Sequence, residues 1–160
     1  LLARSARHVL PWFGTGTWSQ RVARRMATNG VSDICMRLPF RTEIAPLIAG
    51  SDVVVFPALE PHFPRPAIEA AALARPVVAS DLPGIDEVVL HDRTGLLVAA
   101  GDAVALAGAI RRLLLDRELA AALGREGRRH AERRFSLTAQ MARIASIYES
   151  LLARPTPANA

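Results

Sequence analysis

The chain has 160 residues, of which 51% are hydrophobic and 22% charged, a balance typical of a single globular domain with one ordinary core. Its apolar stretches are of strand length or are broken by Pro, Asp and Arg, and no charged-then-apolar leader opens the chain, so neither a membrane-spanning helix nor a signal peptide is expected. The single cysteine, Cys35, excludes a disulfide framework within the chain. Because it lies in the apolar run 34–36, we expect a buried, reduced thiol and a cytoplasmic protein.

The net charge of +5 says little about partners. All 20 basic residues are arginine, which with the many alanines indicates a coding bias more than a selected surface. The chain has no aromatic residues interleaved with the arginines and no nucleic-acid motif, so we expect no nucleic-acid partner. The densest arginine cluster, residues 125–134, could meet phosphates or an anionic membrane surface, which would place the protein peripherally at a membrane. The competing interpretation is a solvated helix face, because Glu126 and Glu132 are interleaved there.

The sequence pattern predicts that strands and helices alternate over the first two thirds of the chain. In order, the pattern predicts a strand at 7–13, a helix at 19–29 stopped by Gly30, a strand at 33–38, a short helix at 43–49, a strand at 53–56, a helix at 66–74, a strand at 77–79, a short helix at 85–90 and a strand at 95–98. Such alternation predicts an α/β fold, a Rossmann-like doubly wound parallel sheet with helices on both faces.

From residue 102 onward the pattern is only helical. Three helices are predicted, at 103–115, at 118–134 and at 137–152, the last one capped by Ser136. The last helix carries apolar residues at three- and four-residue steps, which makes one stripe that needs a packing partner. Two prolines end the helical pattern, and the tail 154–160 is predicted to be loose.

Residues 51–69 carry most of the functional information. The apolar run from Val53 to Phe56 predicts a fully buried parallel strand, and a turn-rich segment follows it. Pro66 is predicted at the first position of a helix, whose positive dipole end then faces the mouth of the sheet, where anions bind. Glu69, predicted in the first turn, can accept hydrogen bonds from both hydroxyls of a ribose. Phosphate together with ribose indicates a nucleotide, although any α/β protein contains strand–loop–helix units and the dipole alone favours an early Glu.

Five sequence blocks in one order make the pattern more specific. They are Asp52-Val53, Phe63-Pro-Arg-Pro-Ala-Ile-Glu-Ala70, Pro76-Val-Val-Ala-Ser80, Gly84-Ile-Asp-Glu87 and Thr94-Gly-Leu-Leu-Val98. In this order and spacing the chain resembles the C-terminal, donor-binding half of a retaining glycosyltransferase of the GT-B fold, in the large group called family 4. Members of that family typically show an Asp-Val strand, a Glu-Gly-Phe-Gly-x-Pro-x-x-Glu-Ala motif, a Pro-Val-(Ile/Val)-Ala-(Ser/Thr) strand, a Gly-x-x-Glu turn and Thr-Gly-x-Leu-Val.

The chain departs from this pattern in its second block. Counted back from the second glutamate, the family's first glutamate should fall at Pro61, and the nearest carboxylate is Glu60. The family's Gly-Phe-Gly is replaced by His62, Phe63 and Pro64, and a proline has no N–H to donate to a phosphate. His62 could donate, but a loop histidine is more often a solvated side chain than a ligand.

The resemblance implies transfer of a sugar from a nucleotide diphosphate sugar to an acceptor with retention, with no metal and no other cofactor. Glu60 is the candidate catalytic residue, at the sugar hydroxyls. The ribose is assigned to Glu69, the diphosphate or sugar to the amides around Phe63 and Arg65, and the base to the neighbourhood of 38–40. The residues predicted to bind the donor are Gly14, which begins a Gly-Thr-Gly turn, His62, Phe63, Pro64, Arg65 and Glu69.

The resemblance also implies a domain organisation. Residues 1–135 correspond to a partial nucleotide-sugar-binding Rossmann-like domain that lacks its first strand, and residues 136–153 to a helix that crosses toward an N-terminal acceptor-binding domain. That domain is a predicted partner, and without it the chain is expected to be inactive.

Two other interpretations stay open at this stage. A non-catalytic nucleotide-sugar-binding or interaction module would explain Pro61 and Pro64. An unrelated doubly wound domain, such as a receiver or a hydrolase, would share the alternating pattern, although the chain has no Gly-x-Ser-x-Gly nucleophile motif. The nucleobase, the sugar and the acceptor do not follow from the sequence.

Overall fold

The computed structural model describes residues 10–13, 19–39 and 41–153. Within them, strands and helices alternate up to residue 81, a fifth strand follows at 95–99 with no helix before it, and three helices come next. The elements are β1 Leu10–Phe13, α1 Ser19–Thr28, β2 Cys35–Leu38, α2 Ala45–Ala49, β3 Val54–Phe56, α3 Arg65–Ala72, β4 Val77–Asp81, β5 Gly95–Ala99, α4 Ala103–Leu115, α5 Arg117–Phe135 and α6 Leu137–Leu152. The chain forms two compact units, residues 1–44 and 45–160. The predicted tail 154–160 and Gly14 lie outside the described residues, as does the strand prediction before Leu10.

In the first unit, β1 and β2 pair in parallel, with Leu10 opposite Cys35. Helix α1 ends at Thr28, one residue before the predicted end. Gly30 follows as the predicted stop, since it takes a φ of +63° and its amide bonds to the carbonyl oxygen of Ala27. Cys35 forms no disulfide, and it is only partly buried. The expectation of a buried thiol is therefore corrected to a half-buried one. The next residue of the strand, Met36, is 50% exposed.

In the second unit, three parallel strands pair in the order β3-β4-β5, with Val77 aligned to Val54 on one side and to Gly95 on the other. The central strand β4 is buried from Val77 to Ser80, as an apolar strand covered on both faces should be. This arrangement, followed by α4, α5 and α6, confirms the predicted α/β fold with a parallel sheet and C-terminal helices.

The core of this unit lies between the sheet and the C-terminal helices. Its buried residues are Val78, Leu96, Leu113, Ala120 and Leu123. A second contact joins α3 to α5 through small side chains, with Ala67, Ala70 and Ala71 buried on α3 and Gly124, Gly127 and Ala131 buried on α5. Helix α5 therefore runs uninterrupted through both glycines, as predicted.

The helix predicted at 85–90 is wrong. The segment forms turns, because the Leu90 amide donates to Oγ1 of Thr94 (2.8 Å) instead of to the carbonyl of Asp86, and Gly84 takes a φ of +86°. The apolar residues that suggested a helix are nonetheless buried: Ile85 is 0% exposed and Val89 is 1% exposed. The α6 prediction is confirmed, including the Ser136 cap, whose Oγ accepts the Ala139 amide at 3.2 Å. None of the helices among the described residues has the length and apolar character needed to span a bilayer.

Candidate functional site at the carboxyl edge of the second sheet

The candidate site lies where β3 ends and α3 begins. Strand β3 ends at Phe56 and the helix starts at Arg65, so the segment 57–64 lies at the carboxyl edge of the parallel sheet. Strands β4 and β5 run parallel to β3 and end at Asp81 and Ala99 on the same edge. In doubly wound sheets this is the edge at which ligands bind.

The start of α3 is fixed by two prolines. Pro64 is fully buried, and its carbonyl oxygen accepts the amides of Ala67 (2.9 Å) and Ile68 (3.2 Å). The helix begins at Arg65. Pro66 is therefore its second residue and not, as predicted, its first. A proline costs no hydrogen bond at either position, because those amides have no partner within the helix.

Few amides remain at this helix start to bind an anion. Pro64 and Pro66 have no N–H, and the Arg65 amide donates to the Phe63 carbonyl at 3.0 Å. The Arg65 amide would therefore have to break that bond to bind a phosphate. The Phe63 amide has no hydrogen-bond partner within the described part of the chain.

Glu60 and His62 form a small structured loop. The His62 ring donates from Nδ1 to the Glu60 carbonyl oxygen at 2.9 Å and packs at 5.0 Å, centroid to centroid, from the Phe56 ring. His62 is exposed but anchored, and its Nε2 stays available for a ligand. The Glu60 side chain is exposed, and the Phe63 side chain is 71% exposed.

Glu69 is the fifth residue of α3, so the expectation that it lies in the first turn is wrong. The reason is that the helix starts one residue earlier than predicted. The side chain can still reach the sheet edge, because Cα–Cβ bonds in a helix tilt toward its N-terminus. Glu69 is half-buried, and within the described residues its carboxylate forms neither an ion pair nor a side-chain hydrogen bond.

A second loop of the same edge, residues 82–90 after β4, is held by α5. The Arg134 guanidinium pairs with the Glu87 carboxylate at 2.7 Å, and Nε2 of His130 donates to the Glu87 carbonyl oxygen at 2.8 Å. Within the loop, the Gly84 amide donates to the Asp86 carboxylate. The glutamate of the Gly-x-x-Glu block is therefore an anchor, a role that sequence reasoning missed because both of its partners lie more than 40 residues away.

The predicted site residues are brought together only in part. Residues from Glu60 to Glu69 lie on one loop and the helix that follows it. Gly14 and Phe40 lie outside the described residues, and Leu38 and Pro39 belong to the first unit. Among the described residues, no three His, Cys, Asp or Glu side chains are grouped as ligands for a metal ion.

Comparison with known sequences gives a family. Residues 2–116 match the family described as Glycosyl transferases group 1. The chain is 36% identical, over 132 residues, to an MMP alpha-(1->4)-mannosyltransferase of Mycolicibacterium hassiacum, in an alignment that covers 81% of this chain and 32% of that protein. The chain spans 24% to 39% of the length of the curated relatives compared.

Comparison with solved structures gives the same fold. A sucrose-phosphate synthase of Thermosynechococcus elongatus superposes with a TM-score of 0.85 at 29% identity, over 95% of this chain and 40% of that one. The Anabaena protein Alr3699/HepE, solved in complex with UDP, superposes with a TM-score of 0.86 at 25% identity, over 93% of this chain and 43% of that one. The Anabaena protein has also been solved with UDP-glucose.

Proposed function

The chain belongs to the Glycosyl transferases group 1 family, and we propose that it is the donor-binding part of an enzyme that transfers a sugar from a nucleotide diphosphate sugar to an acceptor with retention. The observation that carries the proposal is the superposition of 93% of the chain on a protein solved with UDP. The loop and helix from residue 57 to 69 lie at the sheet edge where such a ligand would sit.

In this proposal each site residue has a chemical task. The Glu69 carboxylate accepts hydrogen bonds from the ribose hydroxyls, since it is half-buried and has no ion pair or side-chain hydrogen bond within the described residues. The diphosphate is held by the Phe63 amide and by Arg65, and the sugar hydroxyls by Glu60. His62 donates from Nδ1 to the Glu60 carbonyl, so Nε2 of the neutral ring can accept a hydrogen bond from a sugar hydroxyl, and Pro64 sets the path of the loop.

The chemistry asked of these residues is charge stabilisation. When the bond between the sugar and the diphosphate breaks, negative charge develops on the leaving phosphate oxygens. Fixed donors and cations aimed at those oxygens lower the barrier, because they need no reorganisation during the step. Such a mechanism needs no protein nucleophile. As a further part of the proposal, the charge of the diphosphate is met by protein groups, with no metal and no other cofactor.

The rest of the enzyme is also part of the proposal. Since the chain spans at most 39% of its compared relatives, we assign acceptor binding to an additional N-terminal domain. We place the enzyme in family 4 of the retaining transferases. We place it in the cytoplasm, with peripheral membrane contact as an open part of the assignment.

A second candidate function, a non-catalytic nucleotide-sugar-binding module, is favoured by one observation. The buried Pro64 has no N–H, and the Arg65 amide is bonded to Phe63, so two donors expected at the diphosphate are absent or occupied. A module of this kind would bind the nucleotide and leave the donor intact.

Calorimetry on the full-length protein tests both candidates. We expect one nucleoside diphosphate of a panel to bind saturably and its sugar conjugate to be consumed with an acceptor. The anomeric configuration of the product, read by proton NMR, tests retention. Saturable binding without turnover would favour the module, and a lack of binding by every nucleotide would contradict both candidates.

A further inference from the structure

A shallow, open cleft of about 330 Å³ lies at the junction of α5 and α6. Only Ser136 separates the two helices, so the last turn of α5 and the first turns of α6 form its walls. The residues that line this elbow cleft are His130, Arg133, Arg134, Ala139 and Arg143.

The positive charge of the elbow cleft is only partly neutralised by acidic residues. Three guanidinium groups line it, and no carboxylate does. Arg134 pairs at 2.7 Å with the carboxylate of Glu87, a residue that does not line the cleft. The other two arginines are less well paired.

The nearest acid to Arg133 is already engaged. Glu126 lies 3.4 Å from Arg133 and 2.8 Å from Arg129, which is its closer partner. The Arg129 hydrogen bond and, to a smaller extent, Arg133 hold the pKa of the Glu126 carboxyl below its ordinary value. Arg143 has no acidic partner in the described part of the chain.

The position of α6 adds to the same charge. Ala139, the third residue of this 16-residue helix, lines the cleft, so the positive end of the helix dipole lies at it. A planar guanidinium presents its N–H groups as a fork that matches phosphate oxygens, and several such forks around one space suit a compact anion.

We propose that the elbow cleft is a binding site for a phosphoryl group, distinct from the donor site. The interpretation of these arginines as a solvated face explains Arg128 and Arg129, which pair with acids one turn away on α5 itself. It does not explain Arg143, which comes from another helix and meets the α5 arginines around one cleft. The proposal does not depend on the donor assignment, because no residue is shared between the two sites.

Two sources can supply the phosphoryl group: a soluble phosphate and the headgroup of an anionic lipid. Their shared chemistry is a phosphate with at least one negative charge. Leu137 lies in the same first turn of α6 as Ala139 and is 78% exposed, so a lipid surface is a physical option. The experiment separates the two.

The test compares two double variants of the full-length protein with equal loss of charge. Arg133→Gln with Arg143→Gln removes two cations of the cleft and leaves Glu126 paired with Arg129. Arg111→Gln with Arg125→Gln removes two exposed cations outside it and serves as the matched control. Unfolding temperatures are measured first, and Arg133→Lys with Arg143→Lys is used in addition, as a variant that retains the charge.

Inorganic phosphate is titrated while the imidazole signals of His130 are followed by NMR. They are assigned with a His130→Gln variant. His130 lines the cleft and is not among the residues assigned to the donor, and the cleft variant separates phosphate binding there from binding at the sheet edge. We expect a saturable shift, with affinity lowered about tenfold or more in the cleft variant and less than about twofold in the control, because charge-assisted hydrogen bonds are lost only in the former. The lysine variant should bind with intermediate affinity.

Sedimentation with vesicles gives the second arm. If phosphatidylglycerol vesicles, but not phosphatidylcholine vesicles, carry down the parent protein and the control but not the cleft variant, the site takes a lipid phosphate. If no vesicle binds while inorganic phosphate does, it takes a soluble one. Two results would overturn the proposal. One is a His130 signal that does not respond to phosphate. The other is an equal loss of phosphate affinity in the cleft variant and in the control variant.

Discussion

Gly124 of α5 lies against the carbonyl of Ala74, just past the end of α3, so closely that a methyl group built on Gly124 would stand 2.2 Å from that oxygen. The contact lets the two helices approach at backbone distance. Since α3 carries Glu69 and begins at the candidate site, the same contact helps to fix the helix that presents the site.

The first prediction is a pair of identical substitutions with opposite effects. Gly124→Ala should destabilise the protein by about 1–3 kcal/mol, because the helices must separate to admit the methyl group. Gly108→Ala, on α4, should stabilise it by about 0.5–1 kcal/mol, because nothing lies within 4 Å of the added carbon and alanine is the better helix former. Urea unfolding of both variants measures the difference. Equal effects of the two changes would show that the α3–α5 approach is not tight in solution.

The same helices show what sequence alone could predict. The alternating pattern predicted the parallel sheet, and the run from Ala103 to Leu152 was predicted as helical, through Gly124 and Gly127, because periodicity and the Ser136 cap are local signals. The helix predicted at 85–90 failed because the Val89 amide bonds to the Ile85 carbonyl as in a helix, but the next amide, that of Leu90, bonds to Oγ1 of Thr94. A single turn with buried apolar residues has the same apolar spacing in the sequence as the start of a helix.

The candidate site was less predictable than the fold. The loop and Glu69 were found from residue types at a fixed spacing, but the assignment of Glu69 to the first turn depended on a helix start that sequence places only to within a residue or two. The bond from the Arg65 amide to Phe63 and the anchoring of Glu87 by His130 and Arg134 are tertiary facts. No local pattern contains them.

The second prediction concerns Cys35. Burial and, to a smaller extent, the negative charge of Asp33 raise the pKa of its thiol above the ordinary value. A raised pKa lowers the thiolate fraction at a given pH, so iodoacetamide should modify Cys35 more slowly in the folded protein than in urea. The pH profile of the rate should have its midpoint at higher pH in the folded state, and this preference for the neutral thiol stabilises the fold until the pH rises through the folded pKa.

Asp33→Asn gives the control for that profile. It should move the midpoint part of the way back, since it removes the charge but not the burial. A folded-state midpoint at or below the one in urea would contradict the assignment.

The third prediction concerns the apolar stripe of α6. In this structure Ile144 is 42% and Tyr148 is 64% exposed, and no residue of α6 is buried. In the full-length protein we expect the stripe to pack against the rest of the enzyme, so truncation after Phe135 should lower solubility and the unfolding temperature. Ile144→Ser with Tyr148→Ser should lower that temperature too, whereas Ala142→Ser, on another face of α6, should not. Unchanged solubility and stability after truncation would mean that the stripe has no packing role.

The fourth prediction is that the 160-residue chain alone transfers no sugar. Catalysis in the proposed enzyme requires the donor and the acceptor to be held together with water excluded, and the acceptor-binding part is assigned to another domain. The assay is product formation from the nucleotide sugar that the calorimetry identifies, with the full-length protein as the positive control. Turnover by the chain itself would overturn its interpretation as one half of the enzyme.

The last prediction tests the ribose assignment of Glu69. Glu69→Ala should weaken nucleoside diphosphate binding by about 1–3 kcal/mol, the cost of leaving hydrogen-bonding groups without partners, and Glu69→Gln should lose less because it retains one acceptor. Glu149→Ala, which removes an exposed carboxylate from α6, is the control and should bind like the parent. The decisive comparison is with pyrophosphate, which has no ribose and should bind the parent and Glu69→Ala alike. Equal losses for the nucleotide and for pyrophosphate would place Glu69 at the phosphates or in the fold, and not at the ribose.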